Sequence, residues 1–311
     1  MSQAELIPQI TGGHLPFIPV YPGNKSKSIY RSWIFGKRFQ WGAVLEPFAG
    51  TGATSLYARC DRRFIGEAAP DVWSIWRCWL DGNWDAVQWE IQEYRKMAPD
   101  VAWHRATWVY EKPDPHIETL GRCRIELAAA SLVIRKLAFG GVVRHNKKGQ
   151  LNVAWSPHKV EAFHNWQAPA PAPFPGWKLT KDWRDAVEWW QEADIADSLV
   201  LLDPPYYLPY APGTERGGTG LMTPAYRGHQ PHSEECLALT LDPLRMVATN
   251  PNAKRIVVCN YFSSRLQIEI EAIAHATGRM LSHHDFGAMN HMNRGHGQPK
   301  VKAVERFWIL E

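Results

Sequence analysis

Ala43-Val44-Leu45-Glu46-Pro47-Phe48-Ala49-Gly50-Thr51-Gly52 reads as a short buried strand, Ala43 to Phe48, broken by a glycine-bearing turn. The residues from Ala53 to Arg59 suit a helix, so a βα unit begins here. Glycines at such a turn let backbone approach a nucleoside closely. The spacing is not GxGxxG, because no third glycine follows Gly52 at the required distance. A pyrophosphate is therefore disfavoured and a cofactor without phosphate is expected.

Outward from this unit the alternation repeats. Arg63 to Glu67 reads as a second strand, and Asp71 is expected to cap a helix from Val72 to about Leu80. Glu67, 17 residues after Gly50, falls at a strand end, where a carboxylate can accept hydrogen bonds from both ribose hydroxyls. Beyond Asp81 the pattern changes to Trp-rich helical stretches and a long amphipathic helix from about Arg122 to Phe139. Val142 to His145 and Gln150 to Val153 then flank the basic turn Asn146-Lys147-Lys148-Gly149, a predicted hairpin. The Ala/Pro run 168–175 reads as an extended linker.

Strands are expected near Trp177–Thr180, Ser198–Leu202 and Arg255–Cys259, and helices near Trp183–Glu192, Ser233–Ala248 and Ser264–Thr277, with two terminal strands to follow. Pro209 to Gly228 reads as a long loop. The fold class is α/β, Rossmann-like: a parallel-rich sheet with helices on both faces and a ligand site beyond the carboxyl ends of its strands. The domains expected are a catalytic one from 1–80 and 177–311, and an inserted, mainly helical subdomain over 81–176 that bears the hairpin.

Composition narrows the partners. With 45% hydrophobic and 12% aromatic residues the chain can build its own core. Five scattered cysteines without a CxxC pair, and no signal peptide, predict reduced thiols in a cytoplasm. No apolar run approaches the roughly 20 residues of a membrane span. The net charge of +4 only permits a polyanion, but Gly121 to Lys148 carries seven Lys or Arg residues against one acid, Glu126. The tryptophans, among them Trp73, Trp76, Trp79, Trp84, Trp89, Trp189 and Trp190, sit at near-helical spacings and are read as core. His283, His284, His291 and His296 complete no familiar ligand set, so no metal is expected.

The sharpest chemical signal is Leu201-Leu202-Asp203-Pro204-Pro205-Tyr206, an apolar strand that delivers an acid, two prolines and an aromatic at its carboxyl end. An adenine amine is a poor nucleophile, because its lone pair is delocalised into the ring. Asp203 and the carbonyl of Pro204 can accept hydrogen bonds from its two protons and localise that pair, with Pro204 and Pro205 holding the acceptors rigid. Tyr206 can stack on a base that has left the duplex.

EPFAGTG, DPPY and YPGNKSK together resemble the Dam-like group of amino-group DNA methyltransferases, and 139–153 is similar to the hairpin that precedes DPPY in that family. The resemblance implies a class I methyltransferase sheet and an S-adenosylmethionine-dependent enzyme that methylates adenine N6 in duplex DNA, leaving S-adenosylhomocysteine. It implies that Tyr21, Pro22, Gly23 and Lys25 lie beside the cofactor, that Glu46, Pro47, Phe48, Gly50 and Gly52 wrap it, that Glu67 holds its ribose and that Asp182 meets its adenine amine. Asp203 would touch the cofactor as well as the base. It also implies target recognition by 81–176, with Arg144, Asn146, Lys147 and Lys148 on DNA. Two departures stand out: Gly23-Asn24-Lys25 where two glycines commonly precede the lysine, and Gly140-Gly141 where Asn-Gly is common. Cytosine N4 methylation and a catalytically silent DNA-binding protein remain alternatives, whereas carbon-5 chemistry lacks its Pro-Cys nucleophile. A cytoplasmic, prokaryotic or phage-encoded monomer is expected, with a restriction endonuclease as a candidate partner.

Overall fold

β1 (Ala43–Glu46) exposes no side chain, because apolar layers cover both of its faces. Ala43 and Leu45 face one layer and Val44 the other, as the two-residue period of a strand requires. β1 pairs in parallel with β2 (Arg62–Gly66) on one side and with β4 (Ser198–Leu202) on the other. A computed structural model describes residues 28–36, 40–114, 116–117, 120–139, 143, 145–146, 150–166, 176–207, 233–290 and 302–311.

Among these residues one seven-stranded sheet runs β3-β2-β1-β4-β5-β7-β6, with β3 at Trp177–Thr180, β5 at Ala253–Tyr261, β6 at Leu281–Asn290 and β7 at Lys302–Leu310. β1 to β5 are parallel, and β7 runs antiparallel to both β5 and β6, so β7 alone is reversed. The strand order changes direction between β1 and β4, which opens a crevice at their carboxyl ends.

α8 (Trp183–Ala193), α9 (Ser233–Ala248) and α10 (Ser264–Ala276) cover one face, packing Trp190, Leu244 and Ile270 against Leu45, Val200 and Ile256. On the other face α1 (Ser28–Phe35) places Ile34 and Phe35 on Val44, Leu201 and Val257. Arg255 on β5 fixes α1 by donating from Nε to the Ile34 carbonyl at 2.9 Å and from Nη2 to the Trp33 carbonyl at 2.7 Å. α2 (Ala53–Tyr57) is too short to hold itself, and the buried Arg63 donates to the carbonyls of Ser55, Ala58 and Cys60 at its end.

Among the described residues five helices lie between β2 and β3: α3 (Pro70–Leu80), α4 (Trp84–Arg95), α5 (Pro99–Glu111), α6 (Gly121–Leu137) and α7 (Val160–His164), the last preceded by a 3-10 turn, Pro157–Lys159. Pro70 and Pro99 open α3 and α5, where a missing N–H costs nothing. α6 is the hub of this layer and is buried continuously from Leu127 to Arg135. That corrects the expectation of an amphipathic helix with a basic face. Arg124 approaches Asp81 and the Trp73 ring, Arg135 is buried, and the exposed Arg122 pairs with Glu126.

Asp71 is likewise corrected. The helix starts one residue before it, Ala69 is the N-cap, and the buried Asp71 carboxylate accepts from Arg135 Nη2 at 2.7 Å. The Trp expectation holds for Trp73, Trp76, Trp79, Trp84 and Trp190. It fails for Trp89, which is 60% exposed. The Ala/Pro linker and the 209–228 loop lie outside the described residues.

A buried ion pair between α3 and α6 resists loss of one partner more than loss of both, since the survivor keeps an uncompensated charge. Arg135→Met should lower unfolding free energy by about 3 kcal/mol in urea titrations. Arg135→Met combined with Asp71→Asn should recover much of that loss.

Candidate active site

The turn after β1 is shaped by α3. Gly50 and Gly52 adopt φ of 50° and 60°, and a Cβ on Gly52 would stand 2.2 Å from the Trp76 ring. Trp76 Nε1 donates to the Gly50 carbonyl at 2.9 Å, so the indole sets the height of the turn. A Cβ on Gly66 would meet the Pro47 carbonyl oxygen at 2.4 Å, which explains the glycine at the end of β2.

Two buried carboxylates brace this turn. Glu67 accepts from Gly50 N at 2.8 Å through Oε2 and from Ala69 N at 2.7 Å through Oε1. Glu46 accepts from Ser55 N at 3.0 Å and from Ser55 Oγ at 2.6 Å, both on Oε2. Burial pushes each carboxyl up to about 7, against the pull of those hydrogen bonds, and the Asp203 charge adds to the rise at Glu46.

β4 delivers Asp203, half-buried, just past the buried Leu202. The segment that follows is tied to β5 by the fully buried Asn260, whose Oδ1 accepts from Tyr207 N and Tyr261 N, both at 2.8 Å. Asn260 Nδ2 donates to Thr240 Oγ1 at 3.0 Å, so α9 fixes the amide in turn. The Tyr206 hydroxyl donates to Glu305 Oε1 at 2.5 Å, and the Tyr30 hydroxyl donates to the other oxygen of Glu305 at 3.1 Å. The Tyr206 ring meets Tyr261 edge to face, with centroids 4.7 Å apart. Burial, then the charges of Asp203 and Glu305, hold its phenol well above the usual tyrosine range, so it remains a donor.

The strand ends thus gather Glu46, Pro47, Gly50, Gly52 and Glu67 on β1 and β2 and Asp203 to Tyr206 on β4. Phe48 is half-buried, 6.3 Å from Trp183 between centroids. Asp182 follows β3 and caps α8, accepting from Arg184 N at 2.9 Å. Asn146 closes the hairpin turn, donating to Gln150 Oε1 at 2.9 Å and accepting from Gln150 N at 3.1 Å. The antiparallel bridges His145↔Leu151 and Ala138↔Trp155 mark the hairpin's two arms. His284 stacks on Trp33, and no group of metal-ligating side chains occurs among the described residues. Tyr21, Pro22, Gly23, Lys25, Arg144, Lys147, Lys148, His291 and His296 lie outside the described residues.

Sequence reading missed Trp76, Asn260, Glu305 and Tyr30. Trp76 was one of many helical tryptophans, and Asn260 lacked a motif. Glu305 did leave a trace, an isolated acid in the apolar strand Val304 to Leu310.

Residues 21–211, well over half of the chain, match the D12 class N6 adenine-specific DNA methyltransferase family. The chain belongs to that family. No curated protein matches it. This D12 methyltransferase therefore acts on adenine N6 in DNA and uses a methyl donor, which decides against cytosine N4 and against a silent binder.

Two predictions follow from the buried acids of the D12 site. A carboxyl raised from 4.5 to about 7 keeps its proton in the folded enzyme while the unfolded chain releases it, so stability falls as pH rises through that window. Glu46→Gln keeps an acceptor for Ser55 and removes this slope. At pH 8 it should exceed wild-type stability by on the order of 3 kcal/mol at most, and at pH 4 the two should agree. Glu305→Gln keeps an acceptor but weakens the grip on Tyr206 and Tyr30. Single-turnover methyl transfer should slow by roughly tenfold to a hundredfold, with a smaller change in methyl-donor affinity.

Proposed function

We propose that the crevice between β1 and β4 binds S-adenosylmethionine on the β1 side and a flipped adenine on the β4 side. One observation carries this reading: the EPFAGTG turn and DPPY end adjacent parallel strands at the point where the sheet order reverses.

The residues present fit that donor. The positive-φ glycine turn admits close backbone contact, and among the described residues the ionisable groups beside it, Glu46, Glu67 and Asp203, are all acids and offer no cation to a phosphate. That suits a cofactor with sulfonium and ammonium charges and ribose hydroxyls better than one with phosphates. When bound, the cofactor supplies an electrophilic methyl group. Gly50, Gly52, Pro47 and Phe48 would line it, Glu67 would accept from its ribose, and Asp182 would lie near its adenine. Tyr21, Pro22, Gly23 and Lys25 would complete the pocket.

Asp203 and the Pro204 carbonyl would accept hydrogen bonds from the two N–H groups of the target amine, directing the nitrogen lone pair at the methyl group. Pro204 and Pro205 keep those acceptors from turning away. Tyr206, held by Glu305, would present its ring to the flipped base. The methylated amine sheds one proton, which Asp203 is placed to receive.

The 81–176 segment would recognise the target as a subdomain that shares its core with α3. Its hairpin, docked on α5 through Leu151 N to Glu111 Oε1 at 2.8 Å and Tyr110 Oη to His145 Nε2 at 3.0 Å, would enter DNA. Phe139, 71% exposed at the hairpin's foot, would fill the gap left by the extruded base. Arg144 would read a base edge, Lys147 and Lys148 would meet phosphates, and Asn146 would shape the tip.

The test is transfer of labelled methyl from S-adenosylmethionine to unmethylated mixed-sequence duplex, followed by nucleoside chromatography. Label should elute as N6-methyladenine. Asp203→Ala should cut transfer by about a thousandfold or more while cofactor affinity changes only a few-fold. Full activity of that variant would sink the proposed mechanism.

A further inference from the structure

Arg95 ends α4 with Nε and Nη2 buried, and neither donates to an acceptor among the described residues. Buried guanidinium N–H groups are costly when left so, and proteins ordinarily give them oxygens. Here the guanidinium faces an aromatic ring instead, 5.5 Å from the centroid of Phe163 on α7. Lys136, in the last turn of α6, holds its Nζ 4.4 Å from the Trp166 ring, one helical turn beyond Phe163.

Lys159 joins them from the 3-10 turn that leads into α7. That turn is fastened to the end of α6, because Ser156 N donates to the Leu137 carbonyl at 2.8 Å and Lys159 N donates to the Ser156 carbonyl at 2.9 Å. Three cations from three elements therefore lie about α7, Arg95 on Phe163, Lys136 on Trp166 and Lys159 at the helix's N-cap, and none forms an ion pair with a described residue. Their mutual repulsion is felt: burial, then Lys159 and Arg95, hold the Lys136 ammonium below the usual lysine range. Such a cluster is unfavourable until an anion sits among its members, and a guanidinium beside two ammonium groups is a phosphate receptor in kind.

We infer that Arg95, Lys136 and Lys159 form a binding site for one backbone phosphate of the DNA substrate. The position supports that source. Lys136 stands three residues before the exposed Phe139, and the Ala138↔Trp155 bridge joins the cluster directly to the hairpin's foot. A duplex entered by the hairpin would lay a flanking phosphate here, so the inference rests on the hairpin as a DNA-facing element. A contact of this kind positions the duplex and carries no sequence information.

The experiment is DNA binding by the full-length enzyme as a function of salt. Arg95→Gln and Lys136→Gln each remove a charge and keep an aliphatic stem on the aromatic pair. Each should weaken binding about three- to tenfold at 0.1 M salt, on every duplex alike, and lower the slope of log K against log salt by about one. The loss should fall on the KM for DNA rather than on kcat. Slopes equal to wild type in both variants overturn the inference. So does a site that takes up inorganic phosphate, lost in both variants, while DNA slopes stay unchanged, since its ligand would then be a free anion. Phe139→Ala and Lys147→Gln/Lys148→Gln separate the two readings. If they leave DNA binding intact while the cluster variants lower the slope, the hairpin reading fails and the phosphate site stands.

Discussion

The parallel pairing of β1 with β4 is the constraint from which the site follows. These strands lie some 150 residues apart in sequence, yet Leu45 is opposite Val200, so whatever follows each strand emerges at the same edge of the sheet. The turn Pro47 to Gly52 and the segment Asp203 to Tyr206 share a crevice for that reason alone. Residues 81–176 stand between β2 and β3 in the chain, outside the β1–β4 pairing that brings the two motifs together. Their price is a shared core: α6 must bury nearly all of its middle against α3, with Asp71 and Arg135 neutralising one another inside.

Burying Glu46 and Glu67 at one edge carries a cost that the backbone partly offsets. Glu67 is met by the amides of Gly50 and Ala69, and Glu46 by Ser55. These bonds do not cancel desolvation, since both carboxyls remain near 7. A stable fold would not choose this arrangement for itself, because apolar residues of similar volume would suit the same positions better. Under the proposed function these acids stand where a positively charged methyl donor would gain from them, and such a place is where strain against stability is expected to collect.

Much of this was legible in sequence, and the limits were physical. Parallel strands buried on both faces read as nearly unbroken apolar runs, as β1 and β4 do, and β1, β2, β3 and β4 lay within a residue or two of their expected places; glycine turns announce themselves. Pairwise relations did not. Asp71 has the residue type of a cap, but whether it caps or pairs depends on Arg135, 64 residues away. Asp182 carries the cap signal and caps α8 by accepting from Arg184 N, a use of its carboxylate beside the cofactor contact proposed for it. The basic stretch from Arg122 to Lys136 looked like one surface. Helical rotation sends Arg135 inward and Lys136 onto Trp166, which a count of charges cannot distinguish.

The match to the D12 family ends at residue 211, yet the segment bearing DPPY is held from beyond it. Asn260 on β5 fixes the backbone after Tyr206, and Glu305 on β7 fixes the Tyr206 hydroxyl. Glu305 can reach because β7 is reversed and inserted beside β5, which puts it opposite Tyr261, the same ring that meets Tyr206. Its second oxygen takes the hydroxyl of Tyr30 on α1, a few residues past the YPGNKSK motif. One buried acid thus links α1, Tyr206 and β7. A tyrosine at a strand end, flanked by prolines and carrying a polar tip, would otherwise choose among rotamers at little cost. Clamping both its backbone and its hydroxyl removes that freedom, and under the proposed function a ring fixed before a base arrives is the preorganisation that a site made of hydrogen-bond acceptors needs to act on so weak a nucleophile.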